Sequence, residues 1–202
     1  MSSGWPTEPA QRLEGRVVAM EPLTPEHGPG LREAASHEEI WTWLGPYMAG
    51  SDELWEVFMD EALLAAADGS EVPFVTVDAG GGAPIGSSRF LALRPVDRAL
   101  EIGWTWLTPA AWGTGANVEA KLLMMEHAFE RLECVRVEFK TDARNERSRG
   151  ALSALPAEFE GIFRKHRIVP GVGQRDSAYF SVIDDDWPGV KASLEQRLAV
   201  YA

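Results

Sequence analysis

The chain has 202 residues, 45% hydrophobic and 25% charged, enough to bury one core and to favour a single domain. Its formal net charge of −12 argues against general nucleic-acid binding, suits a soluble protein and, more weakly, favours cationic ligands such as amines. A lone cysteine, Cys134, excludes an internal disulfide and points to a cytoplasmic setting, and no apolar run approaches the ~18 residues of a membrane span.

Residues 1–12 hold two prolines and Ser2-Ser3-Gly4 and read as a flexible leader, so the folded domain is expected over residues 13–202. A first strand is expected at 16–23. Between 26 and 44, acidic and apolar residues mix at helical spacing around a break at Gly28-Pro29-Gly30, which predicts one or two short helices. Ser51 is a candidate N-cap for a helix ending near Gly69, with Asp52 and Glu53 in its positive first turn. Leu54, Trp55, Phe58, Ala62 and Ala65 are its expected apolar stripe. Three strands follow at 73–78, 85–93 and 99–107, joined by short turn-rich connections that suit an antiparallel meander. A helix over 118–132 leads to a strand at 134–140, with Val135, Val137 and Phe139 on one face and Arg136, Glu138 and Lys140 on the other. Asn145 then caps a helix to Leu155, with Ala151, Leu152 and Leu155 as its buried side. Strands at 161–169 and 177–184 and a last helix from Asp186 complete an α+β domain with a mixed sheet.

The stretch that carries chemistry is the turn at 108–117, centred on Trp112-Gly113-Thr114-Gly115. Glycines between a strand and a helix let the backbone approach a ligand with free N–H groups aimed at it, which suits a phosphate. A simple tight turn has the same composition. No Lys-Ser or Lys-Thr follows the glycines, which disfavours a nucleotide-hydrolysing P-loop, and the antiparallel meander disfavours a Rossmann crossover.

The run Glu101-Ile102-Gly103-Trp104-Thr105-Trp106-Leu107, then Trp112-Gly113-Thr114-Gly115-Ala116-Asn117-Val118-Glu119-Ala120, and downstream Asn145-Glu146-Arg147-Ser148, resembles the GCN5-related N-acetyltransferase (GNAT) superfamily. Within it, the chain is most similar to the RimJ and RimL branch of ribosomal-protein N-terminal acetyltransferases. The resemblance implies a GNAT-like mixed, mostly antiparallel central sheet flanked by helices, with acetyl-CoA as cofactor and CoA as product. It places the pyrophosphate on the backbone N–H groups of Gly113, Thr114, Gly115, Ala116 and Asn117, and the pantetheine arm along Trp106 and Leu107. Trp112, Asn145 and Ser148 join the same site. The superfamily carries Gln or Arg where Trp112 stands and a small residue where Asn117 stands, so both departures are expected to tune cofactor affinity.

Acetyl transfer to an amine needs a proton acceptor and a donor for the departing thiolate. Resemblance to the histone-acetylating branch implies Glu101, eleven residues before Trp112, as general base. Glu138 on the neighbouring strand is the second candidate, and each also reads as an ion-paired strand carboxylate. Many relatives carry an acidic tyrosine where Leu152 stands. Ser148 matches the serine proposed for this role in the RimL-like branch, and it equally fits a first-turn residue that satisfies backbone donors. His166, flanked by Arg164, Lys165 and Arg167, could accept a proton as a neutral imidazole but reads more often as a surface or interface histidine, and Arg147 and Arg149 could reach the CoA 3′-phosphate or be plain exposed helix arginines. Trp41, Trp43 and Trp55 fall where relatives wall the acceptor pocket, with core packing as the default. His27, His37 and His127 make no metal-ligand pattern.

The expected function is direct transfer, in a ternary complex and without metal, to a primary amine: a protein N-terminal α-amino group or a small amine. Neither nucleic acid nor membrane is an expected partner, and a homodimer is the candidate assembly. The alternatives are a non-catalytic acyl-CoA-binding or regulatory module and a domain for another phosphate-bearing nucleotide.

Overall fold

The structure is a computed structural model that describes residues 11–169 and 173–201, so most of the expected leader lies outside the described residues. The strands are β1 (Leu13–Glu14), β2 (Val18–Pro22), β3 (Val72–Asp78), β4 (Pro84–Arg94), β5 (Ala99–Leu107), β6 (Arg136–Asp142), β7 (Glu158–Val169) and β8 (Gly173–Ile183). They form one sheet in the order β1-β2-β3-β4-β5-β6-β8-β7, antiparallel at every neighbour except β5 and β6. This is the expected mixed, mostly antiparallel sheet, and helices cover both faces.

Alternation along the strands sorts their side chains into two cores. On one face Val75, Val77 and Trp106 pack against α1 (Gly28–Ala34) and α2 (Asp52–Asp68). On the other, Phe90, Leu100, Ile102, Val137, Phe139 and Phe180 pack against α3 (Ala116–Glu126), α4 (Glu146–Ala154) and α5 (Trp187–Leu198). Ser51 Oγ caps α2 by accepting the Leu54 N–H at 3.1 Å, and Gly69 ends it at φ 75. The buried stripe of α2 is Trp55, Phe58, Met59 and Ala62; Leu54 is exposed, because the i, i+3, i+4, i+7 face runs from Trp55.

Other expectations shift by a few residues. Gly28-Pro29-Gly30 opens α1 instead of breaking it, since a proline in the first turn forfeits an N–H that has no intrahelical partner. The strand expected from 134 starts at Arg136, because Cys134 donates its N–H to the Ala128 carbonyl in the preceding connection and Val135 donates to the Arg98 carbonyl in the turn between β4 and β5. On α4 only Leu152 is buried within the helix and Leu155 just beyond it, while Ala151 faces solvent.

Two features position the site. The parallel pairing of β5 and β6 comprises only Ala99↔Arg136, Leu100↔Val137 and Glu101↔Glu138. Beyond it, β5 stays with β4 to Leu107 and β6 stays with β8 to Asp142, so the sheet opens into a V. The β5 arm also carries a bulge. Ser87↔Trp106 and Arg89↔Gly103 leave Trp104 and Thr105 facing Ser88 alone, and Trp104 takes φ 50.

Candidate functional site

The glycine turn lies at the open end of the β5 arm. α3 starts at Ala116, two residues earlier than expected, which puts Asn117 in its first turn. Gly113 and Gly115 have φ 76 and 87, in the left-handed region that favours glycine. The Trp112 N–H bonds the Pro109 carbonyl, and the next N–H with an acceptor is that of Glu119, on the Gly115 carbonyl. Among the described residues, the N–H groups of 113–118 therefore have no partner, and no side chain caps the helix. That row fits an anionic pyrophosphate, and a Cβ at Gly113 would meet nothing within 4 Å. Gly115 is different: a Cβ there would lie 2.8 Å from the ring of Tyr201, so the end of the chain backs the turn. The helix start is anchored by the buried Glu119 carboxylate, which accepts the N–H groups of Arg16, Val17 and Val18 at 3.0, 2.6 and 2.7 Å.

Trp112 packs neither inside nor freely. Its indole N–H donates to the Leu107 carbonyl at 2.9 Å, and the Arg147 guanidinium lies 4.1 Å over its ring. The contact joins the turn on one arm of the V to α4 on the other. Asn145 Oδ1 accepts the Ser148 N–H at 3.0 Å, so Asn145 caps α4, while Ser148 Oγ has no hydrogen bond among the described residues. Arg149 donates to the Ala143 carbonyl at 3.1 Å. Trp106 sends its side chain into the α1–α2 core, where its buried Nε1 has no partner among the described residues, and leaves only backbone for the cleft.

Glu101 sits on the last rung before the arms part. It is 4% exposed, and Oε2 accepts from Lys140 Nζ at 2.8 Å. Burial raises its pKa, and the Lys140 ammonium opposes that rise. Glu138, its partner in register, binds Arg94 Nη2 at 2.9 Å and Arg136 Nε at 2.8 Å, the ion-paired arrangement expected as its alternative. Lys140 faces Tyr179 in register; the Tyr179 hydroxyl lies 3.2 Å from His166 Nε2, and His166 Nδ1 lies 3.0 Å from Ser177 Oγ. His166 therefore shares this face of the sheet with Tyr179 and Ser177 and is partly exposed there. Its pKa is lowered by burial first, then by Lys140, Arg167 and Arg175. Of the tryptophans, Trp41 and Trp55 are buried in the core, whereas Trp43 lies under the Arg144 guanidinium at 5.4 Å. Trp43, Asp142, Arg144 and Arg175 border a cavity of about 20 Å³.

Lys121 gave no sign in the sequence. From α3 its buried ammonium reaches Thr105 Oγ1 at 2.5 Å and Ser88 Oγ at 3.3 Å, and those two hydroxyls are 2.6 Å apart. All three groups meet at the β5 bulge, so Lys121 staples it from behind. No carboxylate pairs with Lys121 among the described residues, and burial pushes its pKa down to about 7.

Residues 18–157 match the family described as the acetyltransferase (GNAT) domain. No curated protein is significantly similar to the chain. Among solved structures, a GCN5-related N-acetyltransferase from Brucella melitensis is 31% identical with a TM-score of 0.85, over 94% of this chain and 85% of that one. A T. thermophilus protein assigned as an acetyltransferase is 38% identical with a TM-score of 0.81, over 94% and 97%. Mycobacterium smegmatis RimJ in complex with CoA-disulfide, at 20% identity, shares the fold with a TM-score of 0.75 over 94% and 93%. The family match takes in both arms of the V and well over half of the chain, which therefore belongs to the GNAT family of acetyl-CoA-dependent N-acetyltransferases.

Proposed function

We propose that the chain passes the acetyl group of acetyl-CoA to a primary amine by direct attack within a ternary complex, on the RimJ/RimL side of the family. One observation carries this reading: a buried carboxylate, Glu101, stands where β5 and β6 part, on the strand that leads into a row of unpartnered N–H groups. Acetyl-CoA supplies the activated thioester. The N–H groups of Gly113 to Asn117 hold its pyrophosphate, with Trp112 and Arg147 beside them, and the backbone of Trp106 and Leu107 lines the pantetheine arm. Glu101 accepts the amine proton, and its raised pKa brings it closer to the strength of a base that works near neutrality. Glu138, already shared by two guanidiniums, ranks second. Ser148 Oγ, without a hydrogen bond among the described residues and set in the first turn of α4 by Asn145, donates to the departing thiolate.

Direct transfer is also supported by Cys134. It is the only cysteine, it is buried, and burial pushes its thiol up to about 12, so it offers no thiolate for an acyl-enzyme. The acceptor classes are a protein N-terminal α-amino group, as the RimJ likeness suggests, and a small amine. The reading places the enzyme in the cytoplasm; among the described residues no helix is long and apolar enough to cross a membrane.

A thiol-release assay with acetyl-CoA against peptides, polyamines, aminoglycosides and amino acids tests the reading. Amine-dependent release with at least one class is expected. Calorimetric CoA binding with no release from any class would assign the chain instead as a non-catalytic acyl-CoA-binding module.

A further inference from the structure

The chain is acidic overall, yet the sheet face around Glu101 is not. Lys140, Arg144, Arg167 and Arg175 gather there with His166. Lys140 is matched by Glu101 at 2.8 Å. Arg144 is matched by Asp142, through Nε to Oδ1 at 3.0 Å and Nη2 to Oδ2 at 2.9 Å. Asp176, next along β8, turns its carboxylate to the Lys165 N–H at 2.6 Å. Glu138 is taken by Arg94 and Arg136.

Arg167 and Arg175 are left over. They are direct cross-strand partners on β7 and β8, a placement in which like charges repel. Neither forms an ion pair among the described residues, and Arg175 Nε is buried without any hydrogen-bond partner. Such a donor carries a desolvation cost that an acceptor would remove. Both guanidiniums lie within electrostatic reach of the reaction centre: Arg167 pulls on Glu101, and Arg175 is drawn first to Asp142, whose oxygens Arg144 already holds, and then to Glu101. Arg175 also borders the small cavity beside Trp43, in the region expected to wall the acceptor.

We infer that Arg167 and Arg175 receive a carboxylate of the acceptor, so that the amine presented to Glu101 belongs to a molecule carrying an anionic group a short distance from that amine. This rests on the transferase reading above. The paired guanidiniums select the acid and fix its orientation, because planar forked donors match a carboxylate bidentately. An amino acid and a peptide with an acidic residue near its N-terminus both carry this chemistry.

The test uses acceptor pairs that exchange a carboxylate for its amide, compared on the concentration of neutral amine: glycine against glycinamide, glutamate against glutamine, and tetrapeptides beginning with Glu or Gln. The acid member of at least one pair is expected to have the higher kcat/KM by about tenfold or more, the size of one charge-assisted hydrogen bond. The amino-acid and peptide arms tell the two sources apart. In R167Q and in R167Q/R175Q the preference shrinks stepwise while CoA affinity stays unchanged; the exposed Arg167 alone leaves the fold intact. No preference in the wild type, or a preference that survives the double substitution, overturns the inference. So does a loss of CoA affinity, which would hand the arginines to the cofactor phosphates. Calorimetry with N-acetylglutamate, which carries no free amine, separates the two failures. If no amine releases thiol, the transferase reading falls, and tenfold weaker N-acetylglutamate binding in the double variant still decides whether the arginine pair holds a carboxylate.

Discussion

Glu101 is held between two opposing influences, and each can be removed singly. Burial raises its pKa and Lys140 restrains the rise. Replacing Glu101 with Gln is expected to lower kcat/KM by about a hundredfold or more and to erase the ascending limb of the pH–rate profile. A profile that keeps its limb would remove Glu101 from the mechanism. Lys140→Met takes away the cation that favours the carboxylate, so Glu101 holds its proton to higher pH and the limb moves upward; Lys140→Arg should leave it near its place. Lys121 behaves in the reverse sense. Its folded pKa of about 7 lies below the ordinary lysine value of 10.5, so between those values the unfolded chain binds more protons than the folded one. Stability therefore rises with pH across that window, and the cost of the buried charge stands in full below about pH 7. Lys121→Met is expected to raise the melting temperature more at pH 6 than at pH 10, and an equal change at both would show that Lys121 titrates normally.

At the level of elements, the glycine turn has two sides, and only one faces ligand. A valine at Gly115 meets both a left-handed backbone, costing about 1–3 kcal/mol, and the Tyr201 ring at 2.8 Å. Its effect alone would not separate ligand approach from a displaced chain end. Gly115→Ala in a Tyr201→Ala background removes the second contact: CoA affinity still lost then lies in the turn itself, its left-handed backbone and its ligand side, and affinity restored points to the wall that Tyr201 makes. The ligand side was legible because glycines and a strand-to-helix switch are local signals. Tyr201 was not, since its contact with Gly115 is made by tertiary packing between residues 86 positions apart (201 − 115). The same division holds elsewhere. β5 falls at 99–107 as expected, bounded by a turn before and Pro109 after, yet its bulge was invisible because Trp104 and Thr105 suit a regular strand. Lys121 occupies a position that reads as solvent-facing until the Ser88 and Thr105 hydroxyls are brought beneath it. The motif residues of Asn145 and Ser148 were legible, but the two-guanidinium claim on Glu138 needed β4 and β6 to be set on either side of β5.

For the whole molecule, the decisive fact is that two half-sheets are joined by only three parallel residue pairs. The β1–β5 half and the β6–β8–β7 half hold separate antiparallel ladders, and beyond Glu101 the edges of β5 and β6 face each other without pairing. Unpaired strand edges exchange their amide hydrogens readily, because little free energy is needed to expose them. A ligand lying between the arms would supply the missing acceptors and bridge both halves. Saturating CoA is therefore expected to slow hydrogen exchange together at residues 104–107 and 139–142, with further protection at 113–118. Thermal unfolding of the same complex should show a melting temperature several degrees higher, since ligand at a hundred times its Kd stabilises by about 2.7 kcal/mol. Protection confined to the turn, with both inner strand edges unchanged, would mean that CoA sits on the α3 start without entering the V. Glu101 would then lose its claim to the reaction, because only a ligand lying between the arms brings a thioester to the rung where they part.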